Sequence, residues 1–394
     1  MVRQRTAQKN LGVRQHQRGV AMLTALMITA IAVTIVAAIF VQQRYSIRLT
    51  SNFQDLEQAY QYADAAEQLA GVWLKRDLQE NQYDSLLDFW ASDDLPPFDI
   101  YAEGGELGEE PIGQVLMRIE DMQGYLNLNN VLVKKTEQNP NGQGQNPNAQ
   151  NPDPNAQNPN GQNPQQAPNP AAGTGSKDDP ELNKPHEAMM EAFARLFQSL
   201  GIPPEFRFSV LDWIDPNDQV ADPSSAESAD YLALDPPYEA ANALLTSPAE
   251  LYRLRMPGVD DAKKQRELLD ALIPLVAVLP TPTALNVNTA TPASLAAVGL
   301  TPDQISMVSS LREVAPITDK NMLSQNIQGL DPKALAVLGV ASNYFRLTGQ
   351  VRLGKSRLYL NSLLFRSPQG EVHVIMRQFS RAPKPKPADT AFAG

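Results

Sequence analysis

An uncharged, apolar run at residues 20–41 is the feature that most constrains how this chain folds. As a helix the run is about 33 Å long, which is enough to cross the hydrocarbon core of a membrane. The segment before it has no Asp or Glu and carries the basic residues Arg3, Arg5, Lys9, Arg14 and Arg18. Because such a segment stays on the cytoplasmic side, we expect one membrane span with the rest of the chain exported.

We expect the same helix to continue beyond the membrane. Neither Gly nor Pro occurs between residues 20 and 70, so nothing in the sequence ends the helix at the membrane surface. Apolar residues then recur every three or four positions, at Leu49, Phe53, Leu56, Tyr60, Ala63, Ala66, Ala70 and Trp73. This spacing predicts that residues 42–80 form an amphipathic second half with one apolar stripe.

The start of the chain resembles the type IV pilins and the pseudopilins of type II secretion. A basic leader ends in Gly19, and an apolar and then amphipathic helix follows. The resemblance implies that prepilin peptidase cuts after Gly19 and leaves Val20 as the new N-terminus. An ordinary single-span anchor that is not cut is the alternative interpretation.

The fifth residue after the expected cleavage point narrows the resemblance. Most pilins have Glu there, and its carboxylate pairs with the amine of a neighbouring subunit, whereas this chain has Thr24. An unpaired carboxylate in lipid is costly, so a subunit without such a neighbour is better without the Glu. Within the family, the missing Glu is typical of the large minor pseudopilin GspK (general secretion pathway protein K).

The GspK resemblance implies an α+β fold. In this expected fold, a long N-terminal helix packs on an antiparallel sheet. A large inserted all-α domain of helix-hairpin-helix or SAM-like type interrupts the sheet. The expected organisation is a leader at 1–19, the two helix halves at 20–41 and 42–80, a first part of the pilin-like domain at 81–135, a disordered loop at 136–178, the helical insertion at 179–340, C-terminal strands at 341–381 and a tail at 382–394.

The middle of the chain contains two contrasting segments. Residues 118–132, "RIEDMQGYLNLNNVL", alternate and contain Gly124, so they predict a short strand pair, and they resemble the GspK segment that leads into the insertion. Residues 138–176 are almost wholly Asn, Gln, Pro, Gly and Ala, and their one charged residue is Asp153. Nothing there offsets the entropy cost of ordering, so the composition predicts a disordered loop.

Residues 211–235 form an acidic stretch without Lys or Arg. Its acids are Asp212, Asp215, Asp218, Asp222, Glu227, Asp230 and Asp235. These carboxylates repel one another unless solvent or a metal compensates, and an irregular set of oxygen ligands suits Ca²⁺. The spacing is not that of an EF-hand, and the alternative interpretation is a solvated acidic turn.

The family resemblance favours the metal. "LDWID" (211–215) matches the GspK segment that contributes Ca²⁺ ligands, although Ser225 and Ser228 replace a Gly and an acid of the family pattern. The ligands implied for this chain are Asp215, Asp218, Asp222, Glu227 and Asp230.

Residues 247–280 and 286–325 predict two related helical hairpins. Each begins with a capping Ser or Thr followed by Pro, and each has a Gly in its turn. Such units can bind DNA, and "NVNTA" (286–290) resembles a motif of DNA-uptake receptors. However, the chain has a net charge of −11, and Arg312 and Lys320 are outnumbered by acids in the second hairpin. We therefore expect no nucleic-acid partner.

The end of the chain predicts three strands, at residues 343–354, 356–367 and 371–379, in which apolar and polar residues alternate. No catalytic motif accompanies them. The chain has no Cys, and its three His residues lie in unrelated segments. We therefore expect a structural protein and not an enzyme.

The resemblance implies a minor pseudopilin that caps the tip of the periplasmic pseudopilus and initiates its assembly. The implied partners are GspI- and GspJ-like minor pseudopilins, prepilin peptidase and the bacterial inner membrane, with most of the chain in the periplasm. Two alternatives remain open at this point. One is a minor pilin of a type IV pilus, and the other is a membrane-anchored DNA receptor.

Overall fold

A computed structural model describes residues 12–92, 95–101, 110–132 and 185–380, with the backbone alone at 12–19. Most of the expected leader, the expected disordered loop at 136–178 and the expected tail at 382–394 lie outside the described residues.

The strands are β1 (Phe98–Ile100), β2 (Gly113–Asp121), β3 (Leu126–Asn127), β4 (Val276–Ala277), β5 (Leu285–Asn286), β6 (Leu338–Gly339), β7 (Tyr344–Leu353), β8 (Ser356–Arg366) and β9 (Val372–Ser380). The helices are α1 (Gly12–Glu80), α2 (Glu187–Ser199), α3 (Phe206–Ile214), α4 (Ser228–Leu232), α5 (Ala262–Leu272), α6 (Pro292–Ala297), α7 (Pro302–Val314), α8 (Asn321–Asn326) and α9 (Pro332–Val337).

Helix α1 confirms that the membrane run and the amphipathic stripe belong to one element. By length and composition its apolar part is able to cross a membrane, and the side chains of that part are exposed in the isolated chain. The second half packs on a sheet through small residues and one Leu, namely Ala59, Ala63, Ala66, Ala70 and Leu74, all of them buried. Small side chains allow the helix to lie close to the strands. Leu49 and Phe53 belong to the same predicted stripe, but they extend beyond the sheet and are exposed.

The sheet against α1 is antiparallel and has the order β1-β2-β7-β8-β9. The predicted C-terminal strands are confirmed as β7, β8 and β9. Strand β2 pairs with β7 over its whole length, from Gly113↔Leu353 to Asp121↔Phe345. Since β2 and β7 are neighbours in the sheet but far apart in sequence, the described residues between them form an insertion at one end of the sheet.

The strand pair predicted around Gly124 is not formed and has to be corrected. Strand β2 ends at Asp121, a single turn of 3₁₀-helix follows, and β3 pairs in parallel with β4 through Leu126↔Val276. The physical reason is that the side chains of Leu126 and Leu128 are buried in the core of the insertion, which draws the chain away from the sheet. The alternation in this segment reflects burial in the helical insertion.

The insertion contains two units that open with related sequences. Leu126-Asn127-Leu128-Asn129 lies at β3, and Leu285-Asn286-Val287-Asn288 lies at β5. Each unit closes with a parallel strand, β4 for the first and β6 for the second.

The second Asn of each motif has the same function in both units. Asn129 accepts from the backbone N–H of Leu245 at 2.9 Å and donates to its carbonyl at 3.0 Å. Asn288 does the same with Ile317, at 2.8 and 3.0 Å. The insertion is therefore built from two related units, a repeat that is longer than the hairpin repeat expected from the sequence.

The predicted hairpins lie inside these units. Ser247 and Thr291 cap their helices, each with Pro at the next position, as the sequence indicates. The turn between α6 and α7 requires a glycine, because Gly299 has a φ of +104°. Arg312, on α7, donates to the carbonyls of Ala290 and Val287 at 2.7 and 3.2 Å. This basic residue therefore stabilises the hairpin from within, which leaves it poorly placed to bind phosphate.

Candidate functional site

The acidic loop lies between α3 and the segment that follows α4. Trp213 of α3 is buried, its ring packs edge-on to Tyr231 of α4, and its Nε1 donates to Glu250 at 3.2 Å. This aromatic contact holds the two helices together and places the ends that carry the carboxylates. Asp215 caps the C-terminus of α3, and Glu227 caps the N-terminus of α4.

Two carboxylates of the loop are buried without full hydrogen bonding. Asp215 is 4% exposed and Glu227 is 3% exposed. Within the described part of the chain, Asp215 Oδ1 and Glu227 Oε1 have no hydrogen-bond partner. A buried carboxylate oxygen left in this state costs several times the net stabilisation of an ordinary hydrogen bond, unless a cation compensates it.

Asn242 is a further member of this group that the sequence reasoning missed. Its side-chain Oδ1 is buried and also unpartnered in the described residues, and its Nδ2 donates to Asp218 Oδ1 at 3.1 Å. The backbone of Asn242 is left-handed, with a φ of +46°, which Asn tolerates better than most residues. In the sequence, Asn242 is a single Asn between alanines, and nothing in that pattern indicates that its side chain joins a group of acids.

The electrostatics of the group indicate an excess of negative charge. Burial, and then the neighbouring Asp212, raise the pKa of Asp215 to about 7. Burial raises the pKa of Glu227 to about 8, with further contributions from Asp212, Asp215 and Asp218. Among the described residues, no cationic side chain is a main cause of either pKa shift, so the folded loop favours either protons or a bound cation.

Three further acids of the loop have local partners. Asp212 accepts from the backbone N–H of Ala221 at 3.0 Å and from the hydroxyl of Ser225. Asp222 accepts from the backbone N–H of Ser224 at 2.9 Å. Asp230 closes a capping box by accepting from the N–H of Glu227 at 3.1 Å. Of the ligands implied by the sequence, the structure therefore groups Asp215, Asp218 and Glu227, and it places Asp222 and Asp230 in local backbone interactions.

The loop does not form the closest acidic group among the described residues. That group is Asp77, Asp84 and Asp88, whose carboxylate oxygens lie within 4.8 Å of one another. There, Arg366 supplies a positive charge by bonding Asp77 and Asp84. The acids of the loop have no such ion pair among the described residues.

The other candidate site is the expected processing point at Gly19 and Val20, which lies within the backbone of α1. Thr24, at the position that distinguishes this chain from most pilins, donates its hydroxyl to the carbonyl of Ala21 at 2.9 Å. The hydroxyl is thus satisfied inside its own helix. It does not require a partner from another subunit, as a carboxylate in lipid would.

Comparison with known proteins gives consistent matches. The family model described as "Type II secretion system (T2SS), protein K" matches residues 124–281. The type II secretion system protein K of Pseudomonas aeruginosa is 27% identical over 95% of this chain and 97% of its own length. The protein of the same name from Dickeya chrysanthemi is 29% identical over 93% and 97%. A chain in the crystal structure of the GspK-GspI-GspJ complex from enterotoxigenic Escherichia coli has the same fold, with a TM-score of 0.59, 22% identity and coverage of 84% of this chain and 99% of that one.

The fold defines the class of protein. A long helix that is apolar in its first half and packs on an antiparallel sheet with its second half is typical of a pilin-like subunit. The helical insertion in the sheet distinguishes this chain from a simple pilin. The chain is similar to type II secretion system protein K over 95% of its length, and it is a minor pseudopilin of that system. This result favours secretion over the type IV pilus and over the DNA receptor.

Proposed function

We propose that this protein caps the tip of the periplasmic pseudopilus and initiates its assembly. The observation that carries the proposal is where the helical insertion is attached. The insertion leaves the sheet at Asp121 and returns at Tyr344, and this end of the sheet contacts the end of α1 through Arg366, which donates to the carbonyl of Leu74 at 3.0 Å. Leu74 is roughly 80 Å along the helix from Val20. The insertion therefore projects from the end of the body that is farthest from the membrane.

This position restricts where the subunit fits in a filament. A subunit stacked on the side away from the membrane would meet the insertion, whereas subunits on the membrane side would meet α1 and the sheet. Thr24 is consistent with the same order of assembly. Its hydroxyl bonds within its own helix, so it makes no carboxylate contact to a subunit placed earlier.

The proposed partners are smaller minor pseudopilins. The related E. coli protein was crystallised with GspI and GspJ, and we assign GspI- and GspJ-like proteins to this chain by that likeness. The available surface is the part of the α1 stripe that its own sheet leaves uncovered. Leu49 is 57% exposed and Phe53 is 61% exposed, so a neighbouring amphipathic helix would bury both.

The proposal also places the chain in the cell. The basic leader stays in the cytoplasm, residues 20–41 cross the inner membrane once, and the remainder lies in the periplasm. Prepilin peptidase cuts after Gly19. The proposed role is structural, because the proteins that the chain resembles are named as components of a secretion system.

The acidic loop is the second part of the proposal, as a Ca²⁺ site. The unpartnered oxygens of Asp215, Glu227 and Asn242 and the carboxylate of Asp218 form a set of hard oxygen donors, which Ca²⁺ prefers. Asp222 and Asp230 from the implied set remain candidate ligands if the loop closes on the ion. When bound, Ca²⁺ supplies the positive charge that the loop lacks and fixes α3 relative to α4.

Gold labelling of pseudopili tests the tip position. The chain has no Cys, so Ser310→Cys, at an exposed position of α7, provides a single attachment point on the insertion. We expect one label at one end of each sheared filament. A Cys on the major pseudopilin of the same filaments, which should label the whole shaft, is the control. Regular labelling of the shaft through Ser310→Cys would overturn the tip model.

A further inference from the structure

The polypeptide crosses between the pilin-like body and the insertion at two adjacent places. The outgoing crossing is at residues 121–124 and the returning one is at 340–344. They are bonded to each other: the N–H of Asn343 donates to Gln123 Oε1 at 2.7 Å, and Ser342 Oγ donates to Asp121 Oδ2 at 2.7 Å. Two neighbouring connections define an axis, and by themselves they permit the insertion to swing about it.

A third point of attachment comes from the middle of the insertion. Asn286 Nδ2 donates to Asp121 Oδ2 at 2.9 Å and to the carbonyl of Asp84 at 3.0 Å. Thr289 Oγ1 donates to the same Asp121 oxygen at 2.6 Å. Asp84 belongs to the body, in the loop after α1. The returning crossing also bonds Asp84, through Val340 and Ser342, so Asn286 reaches the same body segment from a separate stretch of the insertion.

The close packing at this point is shown by Gly124. A Cβ atom added to Gly124 would lie 2.6 Å from the carbonyl oxygen of Thr289, so a larger residue would push the second unit away. The side chains that make the contact are buried, with Asn286 at 0% and Asp121 at 4% exposed. Hydrogen bonds to a buried carboxylate are stronger than bonds between neutral groups, and losing one leaves an unsatisfied group in the interior.

We propose that Asp121, Asn286, Thr289 and Ser342 form an interlock that holds the helical insertion in one fixed orientation on the pilin-like body. With this third attachment point in place, rotation about the two crossings requires breaking several buried, charge-assisted bonds. The interlock determines the direction in which the insertion and its acidic loop are presented. It is independent of the proposed tip position, since it concerns the two parts of one chain.

The first repeat unit provides an internal comparison. Asn127 is the counterpart of Asn286 in the Leu-Asn-x-Asn motif, and both side chains accept from the N–H two residues later. Asn127 also donates to the carbonyl of Thr281 at 2.9 Å and accepts from the N–H of Leu279 at 3.0 Å. Among the described residues, Asn127 therefore bonds only those of the insertion, although Thr281 is in turn bonded to Tyr344 of β7. The same motif therefore serves internal structure at Asn127 and attachment to the body at Asn286.

Spin-label distances between the two parts test the interlock. Because the chain has no Cys, Lys355→Cys at the β7–β8 turn and Ser310→Cys on α7 give one label in each part of the full-length protein in detergent. We expect one narrow distance distribution for the otherwise unchanged chain. Asn286→Ala, or the milder Thr289→Val, should broaden the distribution, and Thr289→Ser should restore it because the hydroxyl is retained.

Asn127→Ala is the matched control, since it removes a buried Asn of the same motif that makes no hydrogen bond of its own to the described residues of the body. It should lower the melting temperature and leave the distance distribution narrow. If Asn286→Ala and Thr289→Val both leave the distribution unchanged, the crossings alone fix the orientation and the interlock is wrong. If Asn127→Ala broadens it equally, the effect is general loosening of the insertion, which also contradicts the proposal.

Discussion

Arg366, the last residue of β8, forms a buried ion pair with Asp84, the residue 282 positions earlier that lies in the loop after α1. The guanidinium Nη2 lies 2.6 Å from each carboxylate oxygen, and both side chains are almost fully buried. Arg366 Nη1 also donates to Asp77 at 3.1 Å and to the carbonyl of Leu74 at 3.0 Å. One side chain thus ties the sheet to the end of α1 and to the loop that the insertion contacts.

Replacement of this arginine should be strongly destabilising. Arg366→Met removes the one positive charge of the pair and leaves Asp84 buried and uncompensated, which costs about 3–5 kcal/mol of unfolding free energy. Arg346→Met is the matched control, because its partner Glu120 is partly exposed and both belong to the same sheet. Urea unfolding of the two variants measures the difference. If both variants lost the same unfolding free energy, burial of the Arg366 ion pair would not explain its contribution to stability.

The body was largely predictable from the sequence because its signals are local. The absence of Gly and Pro and the spacing from Leu56 to Trp73 are properties of one helix, and the alternation in β7 and β8 is a property of each strand. The contact of Arg366 with Asp84 was not predictable in the same way. It joins residues that are distant in sequence, and a single sequence gives no information about which buried charges meet.

Removal of Ca²⁺ should lower the stability of the protein. A ligand that binds only the folded state adds about 2.7 kcal/mol at a hundredfold excess over its Kd. We therefore expect a lower melting temperature in EDTA than in Ca²⁺. Glu227→Gln should abolish most of the difference, and Asp222→Asn, at an acid bonded locally to Ser224, should retain most of it. Identical melting curves with and without Ca²⁺ would leave the solvated acidic turn as the better interpretation.

The effect of Ca²⁺ should depend on pH in a defined direction. The pKa values of Asp215 and Glu227 are raised to about 7 and about 8, so the folded state binds protons there more readily than the unfolded state. Their contribution to stability is therefore fully present below about pH 4 and is lost as the pH rises through 7 to 8. Ca²⁺ competes with those protons. The difference in melting temperature between Ca²⁺ and EDTA should be larger at pH 8 than at pH 5, and the reverse order would contradict the assignment.

The candidate metal site was only partly predictable. The run of acids without a cation identified the segment, because composition alone shows the excess of charge. It did not show that Asp230 closes the capping box of α4, or that Asn242, beyond the acidic run, is hydrogen-bonded to Asp218. Both depend on turns of the folded loop. For the same reason, the resemblance between the motifs at Asn127 and Asn286 became informative only when their partners were known.

The leader should be removed from the mature protein. Gly19 directly precedes the apolar run, and the basic residues before it keep the junction at the cytoplasmic face of the membrane. N-terminal sequencing or mass spectrometry of the protein extracted from membranes should begin at Val20, with an N-methyl group on that residue. Gly19→Leu should leave the leader attached, since the peptidase site would then be filled by a larger side chain. A mature chain that retains Arg18 and Gly19 would contradict the processing step.

The exposed part of the α1 stripe should be needed for partner binding and not for folding. Leu49→Ser and Phe53→Ser change side chains that lie beyond the sheet, so the melting temperature of the protein in detergent should stay unchanged. Co-purification with the smaller minor pseudopilins should fall at least tenfold, because two apolar contacts of about 1 kcal/mol or more each would be lost.

Val72→Ser is the matched control. Val72 is equally exposed, but it lies two residues from both Ala70 and Leu74 and so points away from the stripe. If Val72→Ser weakens the complex as much, the partners bind by general apolar contact. If none of the three changes affects binding, the smaller subunits dock elsewhere on the body.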